Sequence, residues 1–526
     1  MEHRAKTIAP RKRLANGRAV LHRIADDAER CHAELVAELQ ADARPRENLP
    51  EPEIVLDGKA CVRVREEGDV EVRAGDERIT ILAEADCDVE DAGDDGRENR
   101  VVIHARQFAG VADNITRLAD AASQLAAGHR QVAVITLMEL QMRMSDLRVA
   151  IVGSAIGGSA AALLFARAGA IVTVMEHVEQ PRAAGAGIGL AENGMAVLAS
   201  LGLRPALDAA KEVPAAKITD ARGRTMLTPP HPAPRIAMVR RSTLYGVLLD
   251  AVAAESRIVR HYGACVRDVD VNGSILFTDA TGEHTMRADL IIGADGVHST
   301  VRGAGAFGAA VVTTGIRYVR GIVAAGLETG VEAWTSTGVF GSFAVDGGTY
   351  FYASCGTPAA RATLDSRDLP AFQALWAAAY PAAARVLGGL RSFDELLVNE
   401  VRTVHCDHWH DGRLVLLGDA AHAMAPNLGQ GANSALVDAA VLVDEMRRSE
   451  SLEAGLRAYE ARRRNAVTKV ATMSARIGRL AEVTHPALRA VRDRVVLPVA
   501  GLLASSSTTA TVMQESPGTL FAIGRS

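Results

Sequence analysis

Between residues 147 and 446, short apolar runs alternate with stretches of helical spacing, and glycine marks the junctions. Residues 147–152 are apolar except for Arg148; they end at Gly153, and an Ala/Leu-rich stretch continues to Gly169. A second run, 171–175, closes on Glu176, a third, 289–293, meets Asp295-Gly296, and a fourth, 412–417, meets Gly418-Asp419. Runs this short, bounded by turn residues, predict buried strands. Beyond Gly431 breakers are scarce and Leu436, Ala440 and Val443 share one face, so the spacing predicts a helix over 432–446. Residues 215–235 and 311–401 carry strand and turn signals, as in Trp334-Thr335-Ser336-Thr337-Gly338 and Gly347-Gly348-Thr349-Tyr350-Phe351-Tyr352.

The pattern changes ahead of residue 144. Residues 54–82 alternate apolar with charged, as in Cys61-Val62-Arg63-Val64-Arg65 and Val70-Glu71-Val72, and predict short strands. Amphipathic spacing predicts helices over 18–39 and 111–127, with an acidic loop over 86–98.

Composition narrows the classes. The chain has 526 residues, 48% hydrophobic and 23% charged, which is enough for two or three globular domains. A formal net charge of -5 gives no general pull towards nucleic acid or an anionic membrane. The first eighteen residues hold six basic side chains but no apolar core, so they read as a basic arm and not a secretory signal. Six cysteines without a Cys-x-x-Cys pair fit free thiols in the cytoplasm and argue against a zinc site. The apolar run 495–504 contains Pro498 and is too short to span a bilayer, though long enough to dock on the body or a membrane surface.

Two glycine turns carry the chemistry. Gly153-Ser154-Ala155-Ile156-Gly157-Gly158, between a strand and a helix, brings backbone N–H groups and a helix N-terminus to one point, which suits a pyrophosphate. Glu176 lies 18 residues beyond Gly158, close to the ~20 at which an acid meets the ribose hydroxyls of a bound dinucleotide. Ala155 stands where the usual fingerprint has its second glycine, so its methyl is expected to crowd the pyrophosphate and weaken binding without abolishing it. A second Gly-x-Gly-x-x-Gly, at Gly303, Gly305 and Gly308, precedes a strand instead of a helix and is read as chance. The other turn, Gly418-Asp419 through Pro426 to Gly429-Gln430-Gly431-Ala432-Asn433, places a carboxylate beside the N-terminus of the 432–446 helix, where a polyol or an electron-rich ring would be favoured.

These motifs, in this order, resemble the single-component FAD-dependent monooxygenases, the aromatic hydroxylase family, over roughly residues 146–494. The resemblance implies an α/β fold: a Rossmann-like FAD-binding domain (144–214, 236–310 and 402–446), an inserted substrate-side β-sheet (215–235 and 311–401), and C-terminal helices and tail (447–526). Residues 1–143 fall outside it, as a small α+β or partly disordered extension or as sequence ahead of a start at Met144. It implies that Gly153, Ala155, Ile156, Gly158 and Glu176 hold the adenosine half of FAD, that Asp295 and Gly296 meet its middle, and that Gly418 and Asp419 hold the ribityl chain. Pro426 and the Gly429-Gln430-Gly431 backbone would face the flavin ring, with Ala432 and Asn433 also implied as cofactor-binding. In Val239-Arg240-Arg241-Ser242-Thr243-Leu244 the register assigns Arg241 to FAD, with Arg240 as the alternative. The segment Gly185-Ala186-Gly187-Ile188-Gly189-Leu190 matches the stretch leading back to the ring, but Gly189 stands where some relatives have a basic histidine. No catalytic residue is therefore carried over beyond Pro426 as a candidate near the ring, and a substrate that needs no deprotonation is favoured.

Phe343, Tyr350 and Tyr352 are candidates for the substrate pocket. The activity implied is reduction of FAD by transiently bound NADPH or NADH, then formation of a flavin hydroperoxide with molecular oxygen that hydroxylates or epoxidises an aromatic, polyketide-like or alkene small molecule. Two alternatives stay open: a related FAD-dependent reductase without oxygen insertion, and a degenerate flavoprotein acting through its N-terminal extension. A halogenase is disfavoured because Trp334, Trp376 and Trp409 form no Trp-x-Trp.

Overall fold

The computed structural model describes residues 144–524, apart from 182–185, 209, 229–234, 325–329 and 504–510, together with six short strands ahead of residue 144. The chain divides into two compact units, Met1–Gln141 and Met142–Ser526. In the first, Glu53–Leu56, Ala60–Val64, Val70–Ala74 and Glu77–Ile81 form an antiparallel meander, as the period-2 alternation of 54–82 predicts. Val101–His104 pairs in parallel with Ala133–Thr136. The basic arm, the 18–39 and 111–127 helices and the 86–98 loop lie outside the described residues.

The second unit is built on a six-stranded sheet in the order Ile258–Tyr262, Ile171–Glu176, Arg148–Val152, Leu290–Gly293, Leu414–Leu416, His410–Asp411. The first five strands are parallel and the last is antiparallel. Val149, Ala150, Ile151, Leu290, Ile291 and Ile292 are all buried, the continuous apolar run expected of strands covered on both faces. Helices Ile156–Arg167 and Gly431–Arg448 pack closely on one another. Gly157 permits it, since a Cβ there would lie 2.9 Å from Leu417 and 3.0 Å from Ala435.

A seven-stranded sheet follows the order Thr225–Leu227, Lys217–Thr219, Val331–Trp334, Val339–Val345, Gly348–Cys355, Ala310–Val323, Leu397–His405. Strand alternation gives it two faces. On one, Val319, Phe340, Phe351 and Ala353 pack with Phe372 and Trp376 of helix Leu369–Ala379. On the other, the cross-strand register aligns Glu332, Gly341, Tyr352 and Arg320 in a single row. Phe343 and Tyr350 share that second face. A three-stranded sheet, Lys211–Pro214, Arg235–Arg240 and Gly187–Leu190, lies beside it: Tyr350 occupies the space a Cβ at Gly187 would need, 2.4 Å away.

The thirty-residue helix Leu452–Ala481 packs along Gly431–Arg448. The apolar run near the C-terminus yields helix Leu497–Leu503, whose Leu497 is buried beside Trp334 and Val339, while Val495, Val496 and Val499 are exposed. Among the described residues no helix is long and apolar enough to cross a membrane.

Candidate active site

The C-terminal ends of three adjacent parallel strands bring the motifs together, the position where open α/β sheets bind ligands. Ala294 N–H donates to Val152 O (2.9 Å), and Leu417 N–H donates to Gly293 O (3.1 Å). Gly153 has φ +99°, and a Cβ there would sit 2.5 Å from Ala294 O. Gly158 is equally constrained, its virtual Cβ being 1.9 Å from Gly153 O. Ile156 is buried and Gly158 lies inside the helix, so both shape the turn from beneath. Ala155 is the exposed N-cap of helix Ile156–Arg167, with φ -67° and no side-chain cap. Glu176 is buried; it accepts from Ser154 N–H (3.0 Å), Ser154 Oγ (3.2 Å) and Val178 N–H (3.1 Å), so it braces the glycine turn.

In the middle motif, Asp295 Oδ2 accepts from Thr300 N–H (2.7 Å) and Val301 N–H (3.3 Å), whereas Oδ1 is buried and has no partner among the described residues. Burial pushes the carboxyl up, against the hydrogen bonds from Ser299, Val301 and Thr300. Gly296 follows with φ +77° and open space around its Cα. The structure separates the two adjacent arginines. Arg240 Nε donates to Asp346 O (2.8 Å), while the Arg241 side chain is exposed and its backbone N–H donates to Ala186 O (2.7 Å).

Gly418 makes the third turn, with φ +60°. Its N–H donates to Asp438 Oδ2 (3.0 Å), which also meets His422 Nε2 (2.6 Å); Arg463 Nε donates to Oδ1 (2.7 Å). Asp438 and Arg463 are fully buried. Burial works to raise the Asp438 carboxyl, but the His422 and Arg463 charges outweigh it and hold it at about 2. Asp419 is exposed, and its Oδ1 is 3.9 Å from the virtual Cβ of Gly431, which places the carboxylate beside the N-terminus of helix Gly431–Arg448. No side chain caps that helix at Gln430.

Asn433 is placed differently from the sequence expectation of a group facing the cofactor. It is fully buried, accepts from Ala191 N–H (3.0 Å), and donates to Gly189 O (3.1 Å) and Gly429 O (3.0 Å). Its amide is thus spent on clasping the Gly429-Gln430-Gly431 turn to strand Gly187–Leu190. Behind the same turn lies Gln514, held at φ +65°, which bonds Ser434 Oγ (2.8 Å) and accepts from Arg463 Nη2 (2.7 Å). Pro426 and Ala432 are half-buried and Gly429 is exposed at φ +62°.

From this turn the site continues onto the second sheet. Asn427 Nδ2 donates to Tyr318 Oη (3.2 Å), and the Tyr318 ring lies 6.3 Å from that of Tyr352. Tyr352 also packs against Phe343 (6.2 Å) and Tyr350 (6.0 Å). The Tyr352 hydroxyl donates to Glu332 Oε2, and Trp334 Nε1–H donates to Glu332 Oε1 (2.6 Å).

A family model described as "FAD binding domain" matches residues 146–474. A relative from Streptomyces cremeus, 3-amino-4-hydroxybenzoate 2-monooxygenase, is 32% identical over 65% of this chain and 88% of its own length. The chain belongs to the FAD-dependent monooxygenases. Another relative of this monooxygenase, aurachin C monooxygenase/isomerase from Stigmatella aurantiaca, is 29% identical over 67% of this chain and 94% of its own. Among solved structures, a variant of 2-methyl-3-hydroxypyridine-5-carboxylic acid oxygenase has the same fold, with a TM-score of 0.58 and 23% identity over 71% of this chain and 98% of that one.

FAD fits the residues present. Two helices point uncapped N-termini at glycine turns, leaving N–H groups for phosphate oxygens and the ring's electron-rich end. The unpaired Asp295 Oδ1 supplies an acceptor that a hydroxyl can satisfy. Because φ at Ala155 suits any residue, the monooxygenase needs no glycine there for its backbone, and only the methyl stands against the cofactor. Ala155→Gly is therefore expected to tighten FAD binding by no more than about tenfold, or 1.4 kcal/mol. Flavin fluorescence titration measures this; unchanged affinity would mean that the methyl crowds nothing.

Glu332, Arg320, Tyr318 and Asn427 were missed in the sequence, since nothing local separates them from surface and core residues. The one available signal was the strand character of the segments that hold them.

Proposed function

We propose that this monooxygenase consumes NADH or NADPH and inserts one atom of molecular oxygen into an electron-rich aromatic ring. When bound, FAD supplies the electron transfer and the oxygen activation. The chain's own groups orient and enclose. Gly153, Gly158 and the N-terminus of helix Ile156–Arg167 would take the pyrophosphate, Glu176 the ribose, and the exposed Arg241 side chain would reach FAD. Gly418 and Asp419 take the ribityl chain, with the Pro426-to-Gly431 turn along the ring. The face bearing Tyr318, Phe343, Tyr350 and Tyr352 covers the substrate and excludes water.

The observation that carries this reading is the hydrogen bond from Asn427, one residue after Pro426, to Tyr318 on the aromatic face, because it joins the cofactor turn to the substrate sheet. The named relatives acting on hydroxylated rings support an aromatic substrate over an alkene. The free thiols Cys265, Cys355 and Cys406 suit a reducing compartment, the cytoplasm.

The test follows NADH and NADPH oxidation together with oxygen uptake, across a panel of hydroxy- and amino-aromatics and alkenes. Substrate-stimulated oxidation with equal oxygen uptake and an oxygenated product is expected. Stimulated oxidation without oxygen uptake would make the protein a reductase.

A further inference from the structure

We propose that Glu332 and Tyr352 form a proton relay that takes the proton of a phenolic hydroxyl on the substrate, a proposal that rests on the oxygenase reading of this site. The pair is produced by the register of three strands. Glu332 lies opposite Gly341, and Gly341 lies opposite Tyr352. A Cβ at Gly341 would be 2.2 Å from Tyr352 Cζ, so the tyrosine ring crosses the middle strand through the space a side chain would fill and reaches the carboxylate.

The hydrogen bonds fix the direction of transfer. The indole N–H of Trp334 can only donate, so Glu332 Oε1 stays an acceptor and the proton must arrive on Oε2. Tyr352 gives its hydroxyl hydrogen to Oε2 and keeps oxygen lone pairs for a second donor. Both residues are half-buried, retaining some accessible surface. In the proposed step the substrate O–H bond breaks and its proton goes to Tyr352 Oη while Tyr352's own proton moves to Glu332 Oε2. The electron pair stays on the substrate oxygen and nothing is oxidised or reduced. The product is a phenolate, the more electron-rich ring that oxygen transfer needs, and the relay supplies a base in a chain that has Gly189 in place of a histidine.

The surroundings suit the task. Burial raises the Glu332 carboxyl, against the hydrogen bonds from Tyr352 and Trp334, which brings it nearer the working pH of a general base. Facing the pair are Arg320, cross-strand from Tyr352, then Tyr350 on the same strand and Tyr318 on the next. Glu482 acts on Tyr318 from the end of the long helix, and the Arg492 guanidinium lies 5.2 Å from the Trp334 ring. The Arg320 side chain has no hydrogen bond or ion pair among the described residues, so its charge is available to stabilise the phenolate.

The FAD-loaded full-length protein is titrated with 4-nitrophenol, whose anion is coloured, and with a panel of substituted phenols. In the wild type, bound 4-nitrophenol should ionise at a pH at least one unit below that of the free compound. Glu332→Gln and Tyr352→Phe should each still bind it, retain flavin, and lose most of that shift, with loss of the acidic limb in kcat for any phenol that turns over. The relay is overturned if both variants keep the shift, if the wild type binds the phenol in neutral form, or if no phenol binds. Retained flavin in the variants excludes misfolding. Ionisation of the phenol without oxygen uptake would leave the relay standing and remove the oxygenase reading instead.

Discussion

Asp438→Asn is expected to destabilise the protein by about 3–5 kcal/mol, the cost of breaking a buried ion pair and leaving one partner charged. The substitution keeps the volume but leaves the Arg463 guanidinium, 0% exposed, without a counter-charge. One of its nitrogens, Nη1, already lacks a partner among the described residues. Against a typical total of ~5–15 kcal/mol the loss is severe. It also reaches the cofactor, because Gly418 N–H and His422 share the lost oxygen and together fix the turn from which Asp419 projects. Flavin content should fall with stability. The pH dependence has a definite sign. A carboxyl held at about 2 when folded, against about 3.9 when unfolded, contributes its full stability above about pH 4 and loses it as the pH drops towards 2. The Asp438→Asn variant should lack that acid limb. Urea unfolding at neutral and acid pH, with flavin absorbance, decides the matter, and a variant within about 1 kcal/mol of wild type would mean the network is dispensable.

The second large effect is expected at Gly153. An alanine at φ +99° carries a backbone penalty of about 1–2 kcal/mol, and its Cβ would lie 2.5 Å from a carbonyl oxygen that belongs to the neighbouring strand's turn and cannot rotate away. Either the glycine turn or the Asp295 turn must move. Gly153→Ala should therefore lower FAD affinity by more than about a hundredfold, equivalent to ~2.7 kcal/mol, or yield colourless protein. Gly303→Ala is the matched control: it belongs to the other Gly-x-Gly-x-x-Gly, sits in the short helix Thr300–Ala304, and has nothing within 4 Å of its virtual Cβ. It should bind FAD normally. Equal losses at both sites would contradict the assignment of the first turn.

Much of this was legible because the cofactor motifs are local. A strand, a glycine turn and a helix occupy some twenty consecutive residues, and backbone geometry dictates their composition. The parallel sheet and the helix beginning at Gly431 were visible for the same reason. Where a side chain's partner is remote in sequence, local pattern said little. Asp438 reads as an ordinary polar residue on a helix, and only folding brings Arg463 and His422 to it. Asn433 carries the motif's identity, yet its amide is used up by three backbone groups that no linear spacing reveals. Register alone ranks Arg241 ahead of Arg240, and only the fold shows that Arg240 is held by Asp346 O. Glu332 stood beside Trp334 in a strand of mixed character, and its role depends on a register spanning three strands.

That register leaves a mark that can be searched for. Because the tyrosine passes over Gly341, a glycine is required at the middle strand's crossing point, and a single added methyl would part Tyr352 from Glu332 without altering either residue. Among related sequences, an acid two positions before a tryptophan, a glycine nine positions after that acid and a tyrosine eleven further on, as in Glu332, Trp334, Gly341 and Tyr352, should be inherited or lost as a set. Four letters spaced across three strands would then sort the family into members that ionise their substrates by this route and members that do not.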